Sequence, residues 1–428
     1  MSAAIPTQRR RGSASDAWPC VRLGEVCEVV YGERIRKIDA TATTYPVYGG
    51  GGETFRWATF NRENACVVSR FAMSKECVRY VKGRFFLNDS GLTVASISKF
   101  LSQEFIDWFL LGSQTKIYAC GQGVAQRNLE IKRFRNLSVP LPPLAIQRRI
   151  AAKLDLLCDI VAKRKGQLSQ LNQLVKSRFV EMFGDELEHG RWPSTTVGEV
   201  ANVCVGVVIK PTQYYQESGV KAFRSLNIGE MMVKDDEWVF FSETGNAKNQ
   251  KSVVHRNDVL VVRSGAPGTA CVVPERFDGC NAVDIIIARP DCNKVDPTFL
   301  AMFTNMPHGK NQIRNQIGGA AQQHYNVGGY KKLQLIDPPL TLQREFAAFV
   351  EKVDKLAAAV KRGLEAAERL YRQQMQEFFG ETATKTTKTT ETTKTANAGG
   401  FSLSGLSTPS QGLNSPVGHC AKGGNANG

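Results

Sequence analysis

Short apolar runs bounded by Gly, Asn, Asp and Pro alternate along this chain with two long stretches of helical period. Ala65-Cys66-Val67-Val68, Val259-Leu260-Val261-Val262 and Val283-Asp284-Ile285-Ile286-Ile287 read as strands. Apolar runs of this length between turn formers suit buried strands of irregular β-rich domains. Residues 144–183 and 340–379 are rich in Leu, Ala, Lys, Arg, Gln and Glu and hold no proline, so each predicts one long helix. Pro142-Pro143 and Pro338-Pro339 suit the helix starts, and Gly184 and Gly380 suit the stops. Ile150, Leu154, Leu157, Val161, Leu168, Leu171 and Val175 follow 4-3 spacing. Phe346, Val350, Val353, Ala357, Val360, Leu364, Ala367 and Tyr371 do the same, which is the seam of a coiled coil. Arg164 interrupts the first seam and reads as an arginine that snorkels out. Gly166 and Gly363, near the two midpoints, suggest a bend or a close helix approach.

The chain also repeats itself. Trp18-Pro19, Leu23-Gly24-Glu25-Val26 and Gly32 recur as Trp192-Pro193, Val197-Gly198-Glu199-Val200 and Gly206, an offset of 174. Gly123-Val124-Ala125-Gln126 recurs as Gly319-Ala320-Ala321-Gln322, and Phe183-Gly184-Asp185 as Phe379-Gly380-Glu381, at an offset of 196. Several matches in one order mean duplication, with extra residues inside the second copy. The later offset is a whole number of heptads, so the two helical seams share a register.

The expected fold is therefore α+β: two β-rich globular domains separated by two long antiparallel helices that form a coiled-coil rod, with an internal pseudo-twofold repeat. The expected parts are a flexible arm (1–17), a first domain (18–143), a first long helix with linker (144–191), a second domain (192–339), a second long helix (340–381) and a disordered tail (382–428). The tail starts with Thr-Lys repeats and holds few residues worth burying.

Charge adds a partner. Lys plus Arg number 55 against 40 Asp plus Glu, a net charge of +15 and a pI near 9.3. That excess points to a polyanion. The alternative is a basic but inert surface. No stretch is apolar enough to span a membrane, so none is expected as a partner. The first 30 residues lack a signal core, and the 11 cysteines show no CxxC spacing, so reduced thiols in a cytoplasm are expected. The scattered histidines give no metal cage.

Candidate nucleic-acid contacts lie in the β-rich domains. In the first they are Arg70, Lys75, Arg79, Lys82, Arg84, Asn88, Gln126 and Arg127, interleaved with Phe71, Tyr80, Phe85 and Phe86. In the second they are Arg224, Asn227, Lys248, Lys251, Arg263, Ser264 and Gln322. Lys and Arg neutralise phosphates, while Arg, Asn and Gln can read base edges through two hydrogen bonds. For any one of them the competing reading is solvated surface charge. Asp337-Pro338-Pro339-Leu340 has part of an amino-methyltransferase loop, but the last position is not aromatic, and a helix start explains both copies. No glycine run has the setting of a nucleotide loop. No catalytic, cofactor or metal residue is assigned.

With these motifs in view, the chain resembles the specificity subunits of type I restriction–modification systems. The resemblance rests on Pro142-Pro143-Leu144-Ala145-Ile146-Gln147-Arg148 and Pro338-Pro339-Leu340-Thr341-Leu342-Gln343-Arg344, on the Phe-Gly helix ends, on the Trp-Pro…Gly-Glu-Val domain starts and on Tyr45-Pro46-Val47-Tyr48-Gly49-Gly50. It covers about residues 18–381. It implies a non-catalytic subunit that reads split double-stranded DNA, one half-site per domain, with the helices as a ruler for the spacer. Two methyltransferase subunits would dock on the helices, and restriction subunits would complete the nuclease. S-adenosylmethionine, ATP and Mg would sit on those partners. Pro142, Pro143, Gln147, Arg148, Pro338, Pro339, Gln343 and Arg344 are the candidate docking and helix-start residues. Two other classes are a self-contained DNA modification enzyme and a coiled-coil scaffold that binds no DNA.

Overall fold

The computed structural model describes residues 18–37, 44–124, 126–184, 192–317 and 324–380. They fall into two compact units: residues up to Lys165 together with those from Arg362, and Gly166–Lys361. The arm, the tail, Gln322 and the rest of the Gly319–Gln322 echo lie outside the described residues.

The first unit is built on six strands: β1 (Cys27–Tyr31), β2 (Tyr45–Gly49), β3 (Gly52–Trp57), β4 (Arg62–Ser69), β5 (Val78–Leu87) and β6 (Gly91–Ser96). Their order is β1-β6-β4-β5-β2-β3, with only β2 and β5 parallel. The run Cys66-Val67-Val68 is fully buried in β4, as its composition predicts. Helix α1 (Gln103–Gly112) covers β4, β5 and β6 and buries Phe105, Ile106, Trp108, Phe109 and Leu110. Helix α2 (Leu144–Phe183) follows.

The second unit repeats the centre of this plan. Strands β7 (Ala201–Val205), β8 (Val259–Val262), β9 (Ala270–Val272) and β10 (Ile285–Pro290) are ordered β7-β10-β8-β9, all antiparallel. Thus β7-β10-β8 matches β1-β6-β4. Four further short strands, between Tyr215 and Ala282, form a separate sheet within the longer second copy. Helix α3 (Pro297–Asn305) covers β8 and β9, and α4 (Leu340–Phe379) is the second long helix. Both long helices begin and end where proline, composition and glycine place them.

The repeated motifs have structural reasons. Leu23–Val26 and Val197–Val200 are single helical turns closed by capping boxes. The backbone N–H of Arg22 donates to Glu25 at 3.1 Å and that of Thr196 to Glu199 at 2.8 Å, satisfying donors a free helix end would leave open. Gly32 and Gly206 end the matched segments because a Cβ there would lie 2.0 Å from the Asn88 carbonyl oxygen and 2.5 Å from that of Ala282.

In each unit the long helices run antiparallel. In the first, Lys153 sits over the Phe378 ring and Lys165 pairs with Glu368 at 3.3 Å. In the second, Arg178 sits over the Phe349 ring and pairs with Glu345 at 3.3 Å. The seams are buried at Ile150, Leu154, Leu157 and Val161, and at Phe346, Val350 and Val353, whereas Leu168, Leu171, Val360 and Leu364 are half-buried. The Phe-Gly ends explain themselves: Phe379 stacks near Phe105 (5.6 Å) and Phe109 (6.1 Å), and Phe183 meets Phe299 at 4.9 Å. Such ring pairs add about 0.5–1.5 kcal/mol each beyond their buried area. Arg164 lies along Gly363, where a Cβ would be 3.4 Å from its Nε. Gly166 faces open space instead, so no close approach explains it.

Candidate nucleic-acid interface

The charges grouped by sequence separate into two kinds: those tied down within their unit and those left facing solvent. On β5, Arg79 and Arg84 stand about 16 Å apart along the strand at its usual rise per residue. Arg84 is exposed, paired with Glu63 at 3.3 Å and laid over the Phe60 ring. Arg79 is half-buried, with no hydrogen bond or ion pair among the described residues; burial holds its pKa below the usual range, against the pull of Glu76. Its Nη1 lies under the β2–β3 glycine turn, 3.0 Å from where a Gly52 Cβ would be. Lys75 and Lys82 are exposed.

Arg70 follows β4. Its guanidinium lies between two rings, 4.8 Å from the Tyr31 centroid and 4.7 Å from that of Phe71, and its Nη1 donates to the Asp89 carbonyl at 3.3 Å. Asn88 uses its Oδ1 within the unit, accepting from the Ser90 N–H (3.0 Å) and the Ser90 hydroxyl (2.6 Å), which shapes the turn into β6. Arg127 is also structural. It stacks on Tyr118 at 4.7 Å and its Nε donates to the Tyr118 carbonyl at 3.0 Å, holding the hairpin of Gly121–Gln122 and Asn128–Leu129. At that hairpin's tip Val124 is fully exposed, and Gln126 is exposed beside it.

In the second unit most of the expected readers are occupied. Asn227 is fully buried, accepting from the Arg224 N–H at 2.9 Å and donating to the Asp236 carbonyl at 2.7 Å. Arg224 donates through Nη2 to the Glu237 carbonyl. Arg263 pairs with Asp284 and donates through Nε to the Tyr325 carbonyl at 3.0 Å. The Ser264 hydroxyl lies 2.6 Å from His324 Nδ1. Lys248 and Lys251 have exposed side chains.

Among the described residues no three His, Cys, Asp or Glu side chains are grouped to hold a metal ion, and no helix is long and apolar enough to cross a membrane. Residues 15–173 match the family model described as Type I restriction modification DNA specificity domain. Over this stretch, less than half of its length, the chain is similar to the type I specificity domains. It is 25% identical over 288 residues to the Type I restriction enzyme StySPI specificity subunit of Salmonella potsdam, covering 62% of this chain and 61% of that one. With the EcoBI specificity subunit of Escherichia coli it shares 24% over 281 residues, 59% of each chain. The chain therefore spans about 60% of the length of these curated relatives. A solved S subunit of a type I restriction-modification system from M. genitalium superimposes with a TM-score of 0.61 at 17% identity, covering 86% of this chain and 97% of that one. That likeness establishes the fold.

In this fold the helix-start motif holds each unit together. Gln147 is fully buried: its Oε1 accepts from the Ser102 N–H (2.8 Å), and its Nε2 donates to the carbonyls of Phe100 (2.7 Å) and Pro142 (2.8 Å). Gln343 does the same for Asp296 N–H (2.9 Å) and the Pro338 carbonyl (2.8 Å). Ser102 and Asp296 are the N-caps of α1 and α3, so one glutamine in each copy ties the long helix to the helix that covers the sheet. Both glutamines are buried, so neither presents its amide on the surface of its unit. Arg344 donates to the Cys292 carbonyl at 3.1 Å, whereas Arg148 is exposed. Pro142 and Pro338 are buried; Pro143 and Pro339 are exposed. Pro338 and Pro339 line an open cleft of about 700 Å³ with Trp192, Pro193, Glu199 and Lys294.

Two groups escaped sequence reasoning. Asp107 on α1 and Asp155 on α2 are buried carboxyls, 3% and 7% exposed. Burial raises Asp107 to about 8 and Asp155 to about 6. Trp108 Nε1 donates to Asp155 at 3.1 Å. Nothing in the local pattern marks an Asp on an otherwise apolar helix face as buried; only the packing of α1 does.

Proposed function

We propose that this chain is the DNA-reading subunit of a type I restriction–modification complex. It reads a bipartite duplex target, each β-rich domain taking one half-site. The domains are residues 18–143 and 192–339, with the long helices setting the distance between half-sites. It directs two methyltransferase subunits and, in the full complex, restriction subunits to that target. The chain itself is non-catalytic; S-adenosylmethionine, ATP and Mg act on the partners, and the complex works in the cytoplasm.

The observation that carries this reading is the duplicated joint: Gln147 and Gln343 fix a long helix to the N-cap of a sheet-covering helix in the same way twice. Two copies of one frame, each with its own exposed basic side chains, suit two separate grips on a polyanion. The exposed members Lys75, Lys82, Lys248 and Lys251 supply phosphate contacts, and Arg70 and Arg79 are the candidates for closer contact.

Co-expression with the cognate methyltransferase subunit and methylome sequencing tests the proposal. The expected product is a bipartite, asymmetric motif, bound with an affinity that falls steeply with salt. A continuous motif would overturn the two-domain reading, and the absence of salt-sensitive duplex binding would leave a coiled-coil scaffold that binds no DNA.

A further inference from the structure

Arg70 and Arg263 occupy the same place in the duplicated frame. Ser69 stands opposite Gly91 and Val262 opposite Ile285, so each arginine is the next residue beyond its paired strand. The Arg70 carbonyl accepts from the Leu129 N–H at 2.9 Å, and the Arg263 carbonyl from the Tyr325 N–H at 3.0 Å, positions 196 apart. Gly32 N–H reaches the Gly91 carbonyl as Gly206 N–H reaches that of Ile285, which fixes the facing strand too. The residue just before that strand is Ser90 in one copy and Asp284 in the other.

That exchange decides what each guanidinium can do. Asp284 takes the Arg263 Nη1, the Tyr325 carbonyl takes its Nε, and the Arg263 side chain is only 15% exposed. Ser90 offers Arg70 no charge, and its hydroxyl is engaged with the Gly50 N–H at 3.0 Å and with Asn88. Arg70 has no ion pair among the described residues. Tyr31 and Phe71, themselves 43% and 39% exposed, fix the plane of its guanidinium and leave donors on its edge. A stacked, preoriented fork loses little freedom on meeting two coplanar acceptors. The adjoining hairpin is pinned beside it, with Ala72 N–H donating to Asn128 at 3.1 Å, so exposed Val124 and Gln126 extend the same surface.

We propose that Arg70 contacts the target duplex through two coplanar acceptors, a guanine edge or a phosphate, and that Arg263 does not. The proposal rests on the DNA-reading function above. It makes the two copies unequal: the same strand end is a reader in one and a strut in the other.

The test uses the full chain in complex with its methyltransferase subunit and a labelled duplex carrying the motif found by methylome sequencing. Arg70→Met should weaken binding about 10- to 100-fold with an unchanged melting temperature. Relaxation at one position of one half-site, not rescued by Arg70→Lys, identifies a base edge. Uniform loss with a salt slope lower by about one, rescued by lysine, identifies a phosphate. Ser90→Asp, which installs the acid of the second copy, should reproduce the loss in a chain that keeps Arg70. Wild-type affinity, motif and salt slope in both variants would overturn the assignment while the DNA-reading function stands. A wild-type complex without salt-sensitive duplex binding would remove that function, and this contact with it.

Discussion

Replacing Gln147 or Gln343 by Leu separates a structural joint from a docking surface. Leucine keeps most of the volume and removes every polar atom. In Gln147→Leu the Ser102 N–H and the Phe100 and Pro142 carbonyls lose their partner, the Pro142 bond in a buried place and the other two in part-buried ones. An unsatisfied buried group costs about 1–3 kcal/mol, and water and local relaxation recover part of the sum at the part-buried groups, so a loss of about 2–4 kcal/mol is expected. Gln343→Leu strands the Asp296 N–H and the Pro338 carbonyl, so its loss should be smaller, about 2–3 kcal/mol. Chemical denaturation gives the midpoints. Hydrogen exchange gives the place: protection should fall at the start of α1 and α2 in the first variant, and of α3 and α4 in the second. Association with the methyltransferase subunit, measured where both variants are still folded, should be unchanged. An unchanged midpoint with lost association would refute the reasoning and make these glutamines docking residues.

Two further outcomes are expected. Asp107 holds its proton up to about pH 8 in the folded chain, while an unfolded aspartate releases it near pH 4. The folded state therefore binds the extra proton across that window, and stability falls as pH rises through it, by at most about 1.4 kcal/mol per pH unit from this group. Asp107→Asn should flatten the dependence of melting temperature on pH between 4 and 8 relative to wild type; a profile parallel to wild type would mean that burial does not control this carboxyl. Arg263→Ala should cost about 1–3 kcal/mol, from the ion pair and the bond to the Tyr325 carbonyl. Its methylation motif should stay that of wild type, and a changed motif at full stability would make Arg263 a reader.

The frame was legible in the sequence because backbone needs are local. Pro, Gly and the 4-3 spacing placed both long helices, and the repeated Gly-Glu-Val marked two domain starts that the structure shows to be capped turns. The seams were legible as pattern, but their depth of burial was not: Val161 is buried and Leu168 only half-buried, and both are ordinary seam residues in sequence. The candidate contacts were legible only as a set. Arg70, Arg127 and Arg263 are alike in composition and neighbourhood. What separates them is a ring 39 residues upstream, a carbonyl on an adjacent helix and an aspartate 21 residues downstream. Those are tertiary facts, and no spacing rule carries them. Counting basic residues therefore overstates the surface available to a duplex.

The glutamine joints and the Ser90/Asp284 exchange sit in different parts of the same duplicated frame: the joint is the same in both copies, and the strand end is not. The joint uses side chains that satisfy backbone groups, so a change there disturbs the fold before anything else. At the strand end the acid of one copy is a hydroxyl in the other, so a single acid can lock or free a guanidinium while the backbone bonds from Leu129 and Tyr325 stay as they are. A protein that keeps one scaffold and varies its contacts has its tolerance where a side chain can change without stranding the frame's backbone-to-backbone bonds. On this frame that is the end of β4 and of β8, beside the residue that opens β6 or β10. Specificity can then shift by exchange of one or two residues there, with the helices and their joints untouched.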